Sequence, residues 1–156
     1  MYFVVTSDNH GNSEVLKKIR RRHPDAVAYL HCGDSELPLE EMDGWASVRG
    51  NTDYYPGYEN QRVVKINDSL NVFLIHSNRQ SFERLKNLAR LAKENNCQIV
   101  CYGHTHVFAV DEKDGITLIN PGSLFYNRDH SPISYALVYF SEFSNAVTVK
   151  RMEVGK

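Results

Sequence analysis

Five apolar, β-branched or aromatic runs in this chain each stop at a short polar motif. Tyr2–Thr6 runs into Ser7-Asp8-Asn9-His10, and Ala26–His31 into Cys32-Gly33-Asp34. Ala46–Arg49 runs into Gly50-Asn51-Thr52-Asp53, Asn71–Ile75 into His76, and Gln98–Tyr102 into Gly103-His104-Thr105-His106. Runs of this kind read as buried strands. The segment between the first two, Ser13 to Arg22, places Val15, Leu16 and Ile19 on one helical face and ends at Pro24. Strand, helix, strand in that order argues for a parallel α/β sheet. Such sheets bind ligands at the carboxyl ends of their strands, where these polar motifs lie.

Further elements follow from pattern. Leu37 to Met42 reads as a short helix. Arg62–Asn67 and Asn71–His76 form a hairpin around Asp68-Ser69. Gln80 to Asn95 is an amphipathic helix with Phe82, Leu85, Leu88, Ala89 and Ala92 facing the core. Val107 to Ile119 reads as a hairpin turning at Asp114-Gly115. Tyr135–Phe140 and Ala146–Glu153 form a last antiparallel pair. The basic run Lys17 to Arg22 reads as a solvated helix face near a C-terminus, where cations are favoured.

Bulk properties narrow the function classes. The 156 residues suit one domain, 1–156, and a formal net charge of −1 gives no electrostatic footprint for duplex nucleic acid. Cys32, Cys97 and Cys101 lack CxxC spacing and read as free thiols in a reducing compartment. The first apolar run is too short for a secretory leader, and no run approaches a membrane span, so a cytoplasmic location is expected. Tyr54, Tyr55 and Tyr58 read as a rim, and with Tyr126 as a surface that could line a homo-oligomer interface. His31 reads as a satisfied core or edge histidine, His23 and His130 as surface residues, and Asp53 as a group that orients its neighbours.

The residues that end the strands are Asp8, His10, Asp34, Asn51, His76, His104 and His106. Carboxylates, an amide oxygen and imidazoles without thiolate suit Mn²⁺, Fe²⁺, Zn²⁺, Co²⁺ or Ni²⁺. In an extended segment, side chains at i and i+2 point the same way, on the order of 7 Å apart. His104 and His106 at that spacing can reach two metals that sit roughly 3.5–4 Å apart. Two divalent ions held by two aspartates keep a positive surplus that attracts an anionic phosphate.

The order Asp-x-His, Gly-Asp, Gly-Asn-x-Asp, His, Gly-His-x-His resembles the calcineurin-like metallophosphoesterase superfamily. The length and Asn120-Pro121-Gly122-Ser123 resemble its small bacterial and archaeal phosphodiesterase branch. The resemblance implies two packed mixed β-sheets flanked by helices, with the site at one edge. It implies one metal on Asp8, His10, Asp34 and His106, and another on Asp34, Asn51, His76 and His104, with Asp34 bridging. It further implies two divalent ions, Mn²⁺ foremost, and a metal-bridging hydroxide that attacks a small-molecule phosphoester. A phosphodiesterase is the favoured reading. The alternatives are a phosphomonoesterase or nuclease on the same site, or a non-catalytic scaffold of this fold. Thr52 stands where phosphoprotein phosphatases of the superfamily carry a histidine, which favours diesters or activated leaving groups. Ser77 and Asn78 stand where relatives often have Gly and then His, and Asn127-Arg128 replaces a familiar Pro-Arg.

Overall fold

Strands that are apolar on both faces need cover on both faces, and that requirement sets the layering. The computed structural model describes residues 1–155. Its strands are β1 (Tyr2–Thr6), β2 (Tyr29–His31), β3 (Ala46–Ser47), β4 (Gln61–Asn67), β5 (Leu70–Ile75), β6 (Ile99–Tyr102), β7 (Phe108–Lys113), β8 (Ile116–Pro121), β9 (Ser134–Ser141) and β10 (Ser144–Glu153). Helix α1 (Ser13–Arg22) follows β1, and α2 (Arg84–Glu94) follows β5. The strands form two mixed five-stranded sheets, ordered β10-β9-β1-β2-β3 and β4-β5-β6-β8-β7. The expected parallel pair, β1 with β2, is present, and β5 pairs with β6 in parallel as well. Antiparallel strands complete both sheets, so the polar motifs converge from two packed sheets and not from one parallel sheet.

Side-chain alternation divides each run between two cores. Phe3 and Val5 of β1 meet Leu70, Val72 and Leu74 of β5 and Ile99 and Cys101 of β6 between the sheets. Val4 turns outward to Val15, Leu16 and Ile19 of α1. Phe73, Ile75, Val100 and Tyr102 turn the other way, to Leu88, Ala89 and Ala92 of α2. The Asn12 side chain caps α1 by accepting the Val15 N–H at 3.2 Å.

The structure corrects several expectations. Helix α2 begins at Arg84 and not at Gln80, because Glu83 takes a left-handed conformation, φ +43°. Phe82 therefore leaves the apolar stripe and is 78% exposed. The short helix expected over Leu37–Met42 is a single 3₁₀ turn, Leu39–Met42. Tyr58 is not a rim residue: its ring is buried and its hydroxyl donates to the Leu37 carbonyl at 2.7 Å. His23 is likewise buried, with Nε2 2.7 Å from the Tyr135 hydroxyl, whereas His130 is exposed as expected.

Candidate metal centre

Parallel register brings the strand ends together in pairs. Thr6 aligns with His31, so the chain beyond β1 runs beside the chain beyond β2. The Asp8 N–H donates to the Gly33 carbonyl at 3.0 Å, and the His10 N–H to the Asp34 carbonyl at 3.1 Å. In the second sheet Ile75 aligns with Tyr102, and the Gly103 N–H donates to the His76 carbonyl at 3.3 Å. The side chains are then aimed by backbone turns. Asp8, His10, Asp34, His104 and His106 all have positive φ, between 45° and 73°. Non-glycine residues in this region cost about 1–3 kcal/mol each and are held only by strong surroundings. His104 and His106 thus reach the site from two left-handed turns and not from an extended strand. The expectation of two side chains on one strand face was right about convergence and wrong about its cause.

All seven strand-ending residues meet in one cluster. His106 Nε2 lies 3.2 Å from Asp8 Oδ1, and His10 Nε2 lies 4.0 Å from the same oxygen. His76 Nε2 lies 3.1 Å from Asp34 Oδ2 and 3.9 Å from Asp8 Oδ1. Asn51 Oδ1 stands 2.9 Å from His76 Nε2 and 3.1 Å from His104 Nδ1. Two triads could each hold an ion: Asp8, His10 and His106; and Asp8, Asp34 and His76. Asp8 is common to both triads, and Asp34 belongs to the second.

Proton positions sharpen the chemistry. His10 Nδ1 faces Glu36 Oε2 at 3.0 Å, His76 Nδ1 the Cys32 carbonyl at 2.8 Å, and His106 Nδ1 the Tyr126 carbonyl at 2.8 Å. Each partner only accepts, so each Nδ1 carries a proton and Nε2 is the ring atom turned to the cluster. Those Nε2 atoms converge on carboxylate oxygens. Asp8 Oδ1 is buried and receives no hydrogen bond among the described residues. Electron-rich atoms packed this closely call for a cation among them. The N/O donor set fits a divalent first-row ion.

Charges follow the same geometry. Burial opposes the Asp34 charge, yet the His76 ring and the Thr52 N–H hold its carboxyl well below the usual carboxylate range. Burial also works against a charged His76, but Asp34 and Asp8 outweigh it and raise the ring's pKa. Burial, His76 and Arg84 hold His104 below the ordinary imidazole range.

Further side chains hold the cluster in place. Asp53 takes the orienting role expected of it: its carboxylate accepts the N–H groups of Asp34 at 2.9 Å, Gly50 at 2.7 Å and Glu36 at 2.8 Å. Asn120 donates to Thr105 Oγ1 at 2.8 Å and to the Gly103 carbonyl at 3.3 Å, bracing the His104 loop. Ser77, φ +79°, adopts the left-handed turn itself, and its hydroxyl donates to the Gly103 carbonyl at 3.3 Å. Glycine at position 103 is required by space, since a Cβ there would stand 2.2 Å from Ser7 Oγ. Glu36 and Ser123 were missed by sequence reasoning. Glu36 stands two residues beyond Asp34, the same spacing as Asp8 and His10, and that spacing was the available signal. Ser123 donates to the Asp8 carbonyl at 2.9 Å, and its place in the Asn120-Pro121-Gly122-Ser123 motif was the available signal.

Behind the cluster, His31 is fully buried and satisfied at both nitrogens, as expected of a core histidine. Nδ1 accepts the Gly33 N–H at 3.1 Å, and Nε2–H donates to Asn9 Oδ1 at 2.8 Å. Burial lowers its pKa to about 4. The unfolded chain therefore takes up a proton near pH 6.5 that the folded state refuses until about pH 4. The His31 contribution is complete above pH 6.5 and is lost as pH falls from there towards 4, on the order of 3 kcal/mol. Urea unfolding of chelator-treated protein across that range should show this fall, and His31→Asn should flatten it. Equal slopes in the two proteins would refute the assignment.

Comparison with known proteins agrees with this geometry. Residues 1–142 match the calcineurin-like phosphoesterase superfamily domain, and the chain belongs to that family. A probable metallophosphoesterase of Bacillus subtilis (strain 168), YsnB, is 30% identical over 154 residues, covering 96% of this chain and 89% of the relative. A predicted phosphoesterase from Streptococcus pneumoniae TIGR4 superposes with a TM-score of 0.85 at 29% identity, covering 95% of this chain and 87% of that one. Vps29 from Entamoeba histolytica, solved in complex with Zn²⁺, shares the fold, with a TM-score of 0.74 at 19% identity, covering 99% of this chain and 100% of that one. Among the described residues, no helix is long and apolar enough to cross a membrane.

Proposed function

We propose that the chain is a two-metal phosphodiesterase whose ions are held by Asp8, His10, Asp34, Asn51, His76, His104 and His106. The observation that carries this reading is the buried Asp8 Oδ1, which faces the Nε2 atoms of His106, His10 and His76 at 3.2, 4.0 and 3.9 Å and receives no hydrogen bond among the described residues. Bound there, two divalent cations, Mn²⁺ foremost, would supply the Lewis acidity that makes hydroxide from water near neutral pH and stabilises charge on phosphoryl oxygens.

The chain's own residues supply the rest. Glu36, the Cys32 carbonyl and the Tyr126 carbonyl each fix a ring proton on Nδ1, which turns three Nε2 atoms inward, free to bind a cation as lone-pair donors once deprotonated. Asp53 locks the Asp34 and Gly50 backbones with its own carboxylate, so Asp34 cannot swing out of the cluster. Attack of the water-derived oxygen on phosphorus breaks the bond to one ester oxygen, which leaves and takes up a proton as an alcohol or phenol. Thr52 is too weak an acid to give that proton. Leaving groups that depart without help are therefore favoured, and phosphopeptides are poor substrates.

Chelator-stripped protein titrated with Mn²⁺ should hydrolyse bis(p-nitrophenyl) phosphate at least about 10²-fold faster than a phosphoserine peptide, the size of one missing proton donor. Faster turnover of the phosphopeptide would refute the diester preference. The complete donor set supports this reading over a scaffold of the same fold, and a folded protein inactive with every divalent ion would favour the scaffold. The three free buried cysteines support a reducing, cytoplasmic setting.

A further inference from the structure

Beside the metal cluster, on the Asn51 side, lies a recess of about 430 Å³. That size falls within the range of ligand pockets, about 300–1,000 Å³. Its wall is built from Asn51, Arg49, Asn60, Gln61, Asn78 and Arg79. Asn51 belongs to both the recess and the cluster, standing 2.9 Å from His76 Nε2. A group seated in the recess would therefore be attached to an ester held at the metals.

The lining selects a chemistry. Arg49 donates to the Asp53 carbonyl at 2.9 Å and to the Tyr55 carbonyl at 3.1 Å, which fixes the guanidinium while leaving its charge unneutralised. Arg79 makes no ion pair among the described residues. The one carboxylate in the lining, Asp53, is taken up by three backbone N–H groups. Two cations without a carboxylate partner thus face one small space. Guanidinium groups recognise phosphate in bidentate fashion. Asn60, Gln61 and Asn78 offer both donors and acceptors, the pattern that matches a hydroxyl-bearing stem. No aromatic ring lines the recess, so nothing there stacks on a nucleobase.

Building on the diesterase reading above, we propose that the recess binds a second phosphate carried by the substrate. The substrate class is then a phosphodiester whose retained substituent is a short polar stem ending in its own phosphate group. Arg49 and Arg79 hold that phosphate and lower KM, while the ester a few bonds away sits at the candidate metal centre, where bound ions would supply the Lewis acidity for its cleavage.

Two substrates that differ only in the second phosphate test this directly. They are p-nitrophenyl thymidine 5′-phosphate and its 3′-phosphorylated counterpart, assayed with the Mn²⁺-loaded protein. The 3′-phosphate should lower KM about tenfold or more, the contribution of a charge-assisted hydrogen bond, and change kcat by less than about twofold. Arg79→Ala and Arg49→Lys should each cut that KM advantage to below about threefold. Arg90→Ala, an exposed cation paired with Glu94 at 2.8 Å on α2, should keep it. Equal KM for the two substrates, or an advantage that survives both recess variants, overturns the proposal. Calorimetric titration with thymidine 3′,5′-bisphosphate and thymidine 5′-phosphate reads the recess without turnover. Tighter binding of the bisphosphate that depends on Arg79 supports the recess even in a protein that hydrolyses nothing, and it is then the esterase reading that falls. Equal binding of the two in an active enzyme overturns the recess and leaves the esterase reading in place.

Discussion

Asp8→Asn is expected to abolish metal-dependent hydrolysis, by at least about 10²–10³-fold in kcat/KM, without destabilising the metal-free protein. The two halves of this result have one cause. Asp8 Oδ2 accepts from the Ser7 hydroxyl and from the His104 N–H at 3.3 Å, and an amide oxygen can keep both bonds. Among the described residues Asp8 Oδ1 has no donor, and it faces His106 Nε2 at 3.2 Å. An amide nitrogen at that place donates to the imidazole lone pair and satisfies both atoms. The variant removes the anion that both ion triads share and at the same time heals an unsatisfied buried contact. Stability surrendered for function in this way is typical of active sites. Thermal unfolding with and without Mn²⁺ checks it: the wild-type protein should gain stability on adding metal, and the variant should gain little. In chelator the variant should unfold at the same temperature as the wild type or higher. A variant that still binds metal and turns over at more than about a tenth of the wild-type rate would remove Asp8 from the centre of the site.

Gly50→Ala should be nearly as damaging to activity, for a steric reason. Gly50 does not have positive φ, so alanine meets no backbone penalty there. A Cβ at this position would stand 2.0 Å from Asp34 Oδ1 and 2.5 Å from the Asp34 nitrogen. Neither atom can yield freely: Asp53 holds the Asp34 N–H at 2.9 Å, and the Thr52 N–H donates to Asp34 Oδ1 at 2.9 Å. Asp34 must move, and a displacement on the order of 1 Å at a reacting centre costs about 10²-fold in rate. Overpacking should also lower stability by about 1–3 kcal/mol. Metal affinity by calorimetry should fall together with kcat/KM. Alanine tolerated at full activity would mean that Asp34 is not fixed where the structure has it.

The chemistry of the site was largely legible before the fold was. Asp8, His10, Asp34, Asn51, His76, His104 and His106 stand out because each closes an apolar run, and a strand end is where a sheet can present a polar side chain. The cores were legible for the same reason, since runs apolar on both faces announce a layer on each side. Helix α2 was read too long because periodicity continues through Phe82 while the backbone does not, the left-handed turn at Glu83 breaking it. Tyr58 and His23 were misplaced because an aromatic or imidazole group in a polar stretch looks exposed until a partner for its polar atom is known.

Sequence by itself determined the alternation of strands and helices, the residue types at the strand ends and therefore an oxygen and nitrogen donor set without sulfur. Tertiary structure alone decided how those donors are aimed. Left-handed turns at Asp8, His10, Asp34, His104 and His106 cost free energy locally, and no local pattern calls for them. They persist because Asp53, Asn120, Ser123 and Glu36 hold them from distant parts of the chain. The recess beside Asn51 is likewise a product of packing, since Arg49 and Arg79 face one space only after two sheets have brought their loops to the same edge.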